Sequence, residues 1–127
     1  MRDEKCEIET PSGHVIDATI ANRFATRLFG LMTQNRSSKP RAMLFPRCRS
    51  VHMGFMRVPL DIVYLHDVHA PVVLGVETVS PWRATHAPAG TNAVLELAEG
   101  WAFACGIEEG DCLPITIRAL GAGRETR

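Results

Sequence analysis

His52, Met53 and Met56 fall within one five-residue stretch, with Met43 and Cys48 shortly before it. An imidazole beside thioethers and a thiol is a donor set suited to Cu(I). A strand would separate the set, because successive side chains face opposite ways: His52 and Met56 would share one face and Met53 would take the other. Methionines on strands more often fill a core. Cys48 and His52 could form a thiol–imidazole dyad, yet nucleophilic catalysis also requires an oxyanion hole and a group that orients the base, and no motif supplies them. His66 and His69 stand three apart, and two histidines with no cysteine pair do not make a zinc site. These residues therefore assign no metal and no cofactor.

Asp61 follows Pro59-Leu60 and opens an apolar run. A carboxylate there is expected to accept backbone N–H bonds at a turn. It gains a chemical role if His52 lies close, since two titratable groups in one cleft are the usual mark of a site. Trp82 and Arg83 lie in a loop rich in Pro, Ala and Gly. An exposed Trp beside an Arg is a recognition pair; the alternative is a Trp folded down to plug the end of the domain. The candidate ligand-binding set is thus His52, Phe55, Met56, Asp61, Trp82 and Arg83. Gly121-Ala122-Gly123 has no helix after it and so lacks the N-terminus that binds a pyrophosphate.

Charge is unevenly placed along a chain whose formal net charge is zero. Residues 18–60 contain no Asp or Glu and carry a formal charge of +8, against −3 for residues 1–17 and −5 for residues 61–127. Arg23, Arg27, Arg36, Lys39 and Arg41 are the candidate anion patch, and pairing with the acidic thirds is the competing expectation. Nucleic acid is not expected as a partner, because its binders usually carry a net basic domain. No stretch reaches the ~20 apolar residues that span a bilayer, and the charged N-terminus is not a secretory signal. The reading is a cytoplasmic protein with no membrane insertion. In a reducing compartment Cys6, Cys48, Cys105 and Cys112 should be free thiols.

The elements that would position these residues are short. A chain of 127 residues is one domain by size. Residues 5–9 and 15–20 alternate polar and apolar around Thr10-Pro11-Ser12-Gly13, which predicts a hairpin. Phe24, Leu28 and Met32 make one helical stripe after Asn22, a good N-cap. Strands are predicted over 42–45, 51–56, 61–65, 72–79, 93–97 and 112–120, with 66–71 joining a hairpin. A short helix is predicted over 99–105, ended by Gly106. Residues 121–127 form a tail. The fold class is mainly β (α+β): a single β-barrel or sandwich of about eight short strands with two short helices. Leu44, Phe45, Ile62, Tyr64, Val73, Val94, Leu95, Leu97 and Ile115 are the core candidates.

Several of these segments occur in a familiar order. Gly30-Leu31-Met32, Met43-Leu44-Phe45, His52-Met53-Gly54-Phe55-Met56 and Pro59-Leu60-Asp61 are followed by Val94-Leu95-Glu96-Leu97, Gly100, and Gly106-Ile107 to Gly110-Asp111. The series, over roughly residues 15–118, resembles the domain of unknown function 192 family. Arg57-Val58 replaces the polar pair usual in that family before Pro-Leu-Asp. The resemblance implies a fold and motif positions, not a reaction. The readings carried forward are a small non-enzymatic binding module for a small molecule or protein, with a pocket near His52, Asp61 and Trp82; a copper- or zinc-binding protein; and a hydrolytic enzyme using His52 and Asp61.

Overall fold

The run Leu60–Leu65 has no polar alternation after Asp61, and all six of its residues are buried. Such a run belongs on an interior strand, paired on both sides and covered on both faces. In the computed structural model, which describes residues 4–21, 41–49, 58–83 and 85–118, that is where it lies. Seven strands occur among these residues: β1 (Glu4–Glu9), β2 (Val15–Ile20), β3 (Arg41–Pro46), β4 (Leu60–Leu65), β5 (Val73–Val79), β6 (Ala93–Ala98) and β7 (Ile115–Arg118). They form one sheet in the order β5-β4-β6-β3-β2-β1-β7. All neighbours are antiparallel except β2 and β3. A single helical turn, α1 (Trp101–Ala104), follows β6.

The alternation of β1 and β2 places Cys6, Ile8, Ile16, Ala18 and Ile20 on the inner face, where they join Leu44, Val63, Leu65, Leu95, Leu97 and Leu113 in the main core. Their alternate residues Glu7, Asp17 and Thr19 stay partly exposed. On the other face of β3, β4 and β6, Met43, Leu60, Ile62, Tyr64 and Val94 make a second cluster. The nine core candidates are buried except Phe45 and Ile115, which are half-buried.

The sheet is not the expected closed barrel of about eight strands, nor a two-sheet sandwich. Among the described residues its edges, β5 and β7, approach each other at their entrances: Val72 and Cys112 form an isolated bridge, and the Val73 N–H donates to the Asp111 carbonyl at 2.8 Å. Glu109-Gly110-Asp111 turns the chain away after that contact, and Pro114 brings no N–H to continue a ladder. The helix expected over 22–32 and the strand expected over 51–56 lie outside the described residues. The second expected helix is the single turn α1, which Gly106 ends at φ 69.

Candidate functional site

β5 and β6 both run antiparallel to β4, so their C-terminal ends finish side by side. Val79, Leu60 and Ala98 lie in one transverse row there. Two strand spacings, about 10 Å, separate β5 from β6 at this end. Asp61 is one residue in from the row, on the face it shares with Val63 and the main core.

Asp61 is 3% exposed. Oδ1 accepts the Thr78 hydroxyl at 2.8 Å. Oδ2 accepts the backbone N–H of Gly100 at 3.0 Å and of Ala102 at 2.9 Å. Those two amides belong to the start of α1, where amides have no intrahelical partner. Gly100 has φ 95, a backbone region that favours glycine. The geometry is that of a capping carboxylate delivered from a distant strand.

The far end of the turn is fastened from the β1–β2 hairpin. Ser12 Oγ donates to the Cys105 carbonyl at 2.6 Å, and it lies 2.9 Å from His14 Nδ1. The second contact places a serine against an imidazole, as a nucleophile and its base would be. The polarity is wrong for that role. With the hydroxyl proton directed at a carbonyl, the ring N–H must donate to Ser12, so the imidazole has no free lone pair facing the hydroxyl. The pair is a latch on α1, and Thr10, 3.0 Å from Ser12, completes it.

Held at both ends, α1 buries Ala102 and projects Phe103 outward at 90% exposure. A shallow cleft of about 420 Å³ opens between α1 and β5, lined by Asp61, Val76, Thr78, Glu99, Phe103 and Ile107 among others. Past the end of β5, Trp82 is 73% exposed and adopts φ 68. A left-handed backbone at a bulky residue costs on the order of 1 kcal/mol or more. Trp82 therefore does not plug the domain; it stands out from the same end of the sheet as α1. Arg83 beside it is exposed too. Neither lines the cleft that Asp61 lines.

A model of the domain of unknown function 192 family, described as Uncharacterized ACR, matches residues 7–115. The chain belongs to this family. Its biochemical function is uncharacterised, and no curated protein matches the chain. Among solved structures, a protein of unknown function from Novosphingobium aromaticivorans is similar at 28% identity and a TM-score of 0.64, with 86% of this chain and 82% of that one covered. A putative transcription regulator from Sinorhizobium meliloti is similar at 22% identity and a TM-score of 0.61, covering 89% and 95%. The second likeness is one of fold.

The family motif residues reach different fates in this member. His52, Phe55 and Met56 lie outside the described residues, as do Arg23, Arg27, Arg36 and Lys39. Asp61 is committed to α1, which leaves the expected hydrolytic pair of His52 and Asp61 with a carboxylate already bound to three donors. Met43, from the suggested copper set, is buried at 4% in the second cluster, and Cys48 packs beside that cluster. Arg41 begins β3 opposite Asp17 in β2, so the one described member of the anion patch faces an acid across the ladder. No helix among the described residues is long and apolar enough to cross a membrane.

Three features escaped the sequence reading. Glu96 lies between Met43 and Ile62 in one row and is 0% exposed; a lone acid in the run Val94–Leu97 was its signal. Tyr64 donates its hydroxyl to Glu77 Oε2, which also accepts the His86 N–H at 3.2 Å. Burial first, then the Glu77 carboxylate, raises the Tyr64 phenol well above its usual range. Ser12 and His14 gave no signal beyond turn chemistry.

Proposed function

We propose that this family member is a non-catalytic recognition module whose contact surface is the end of the sheet carrying Phe103 and Trp82. The observation that carries the reading is Phe103, almost fully exposed on a turn clamped by Asp61 and Ser12. A buried carboxylate and an inter-element hydroxyl bond fix a backbone whose outward product is one bare aromatic ring. Aromatic anchors on pre-organised backbone contribute most of the free energy of protein contacts. Val58, 48% exposed just before β4, adds apolar area at the same end. The site expected around His52, Phe55, Met56, Asp61, Trp82 and Arg83 is proposed to belong to this surface, with Asp61 beneath it as the support.

Photo-crosslinking tests this. A benzophenone amino acid placed at position 103 or 82, in the cells that make the protein, is expected to capture the same polypeptide. Position 117, on β7 and 53% exposed, is expected not to capture it. Equal capture from all three positions, or none from 103, would overturn the proposal.

A further inference from the structure

Resting on that reading, we propose that the cleft beside Phe103 takes an extended segment of a partner protein, alternately apolar and basic, which adds to the outer edge of β5 as a further strand. Among the described residues, the backbone bonds of β5 outside its ladder with β4 are at Val73, to Asp111 and Gly110. From residue 74 to 79 the outer edge has no backbone partner there, and a row of open N–H and C=O groups is a template for another strand. Natural edges are commonly blunted by Pro or Lys; β5 has neither.

The register decides what an added strand would meet. Val76 pairs with Val63, and Thr78 with Asp61, so both side chains lie on the face toward α1. The cleft is the space between that stretch of edge and α1, floored by Ala102 and Ile107. A strand added along β5 would send every second side chain into it, against Val76 and the ring of Phe103. This is the arrangement in which main-chain bonds provide affinity and pockets for alternate side chains provide selectivity.

Charge selects the occupant. Glu99 lines the cleft, and exposed Glu108 follows Ile107 at its floor. Between residues 84 and 117 there is no Lys or Arg at all. A segment with Lys or Arg flanking its apolar residue is favoured there, and an acidic one is repelled.

The experiment is selection of a phage-displayed random dodecapeptide library on the immobilised protein, followed by titration of synthetic hits. Hits with an apolar residue flanked by basic ones are expected, losing roughly tenfold in affinity between about 50 and about 300 mM salt. Phe103→Ser, which alters an exposed side chain, should abolish their binding. N-methylation of two alternate peptide amides should weaken binding by roughly tenfold or more if those amides pair with β5, since each lost hydrogen bond counts. On binding, amides within 74–79 should gain protection from hydrogen exchange.

Hits that tolerate N-methylation in every register yet fail with Phe103→Ser would overturn strand addition while leaving the recognition surface standing. Hits indifferent to Phe103→Ser, or no hits, would overturn both. Dimerisation of the protein itself at micromolar concentration, lost with Phe103→Ser, would assign the edge to a second copy and overturn the partner segment.

Discussion

Asp61 illustrates how a residue chosen for its chemistry can be spent on architecture. Its two oxygens receive a hydroxyl and two amides, and of these donors the Ala102 amide is buried while Thr78 and Gly100 lie at the surface. Removing the acceptor strands the Ala102 and Gly100 amides. Asp61→Ala should therefore destabilise by about 1–3 kcal/mol, chiefly from the buried Ala102 amide left unmet. Asp61→Asn keeps one carbonyl oxygen for those amides and lets Thr78 turn to accept, so a loss of about 1 kcal/mol is expected. Urea denaturation of the three proteins measures both. Equal losses for Ala and Asn would show that charge, not acceptor geometry, holds α1. If Asp61→Ala leaves the midpoint unchanged, the clamp has no energetic weight.

Among the elements, β6 carries the sharpest division of roles. Leu95 and Leu97 face the main core at 0% exposure, and Glu96 between them faces the other way, equally buried. Leu97→Ala should cost about 2–5 kcal/mol, read from the shift in thermal or urea midpoint; a change under about half a kilocalorie would remove Leu97 from the core. The alternation that revealed Leu95 and Leu97 was legible in the sequence because a period of two survives any arrangement of neighbours. The hairpin turn at Thr10–Gly13 and the end of α1 at Gly106 were legible for a similar reason, as local chemistry. Sheet order was not. Nothing in the residues of β2 announces a parallel partner in β3, and nothing near Glu109 announces that the β5 and β7 edges stop short of pairing. Asp61 could be read as a carboxylate for backbone amides, but whose amides they were depended on a contact across 41 positions of sequence. Phe103 gave no sign of being exposed, since an apolar residue in a short helix is ordinarily counted inward.

For the molecule as a whole, pH acts through groups buried in their neutral form. Burial pushes the Cys6 thiol up to about 11, against the opposing pull of Arg118 and with help from Glu4. Cys105 and the Tyr64 phenol are raised by the same cause. A thiol whose folded pKa exceeds its unfolded one contributes stability that is fully present below pH 9 and is lost as pH rises toward 11. Urea midpoints should fall across that window, less steeply in Cys6→Ala, and a flat profile would contradict the burial of these groups. A different consequence follows from the pairing of β1 with β7, in which Lys5 stands opposite Arg118. β1 cannot complete this pairing until β7 has been made, so its outer edge stays open while β2 to β6 emerge. Among the described strand pairings this one closes the longest loop, and topologies rich in such distant contacts fold slowly. A circular permutant that joins the two strands by a short linker would turn this distant pairing into a hairpin, and its refolding should be faster than that of the parent chain.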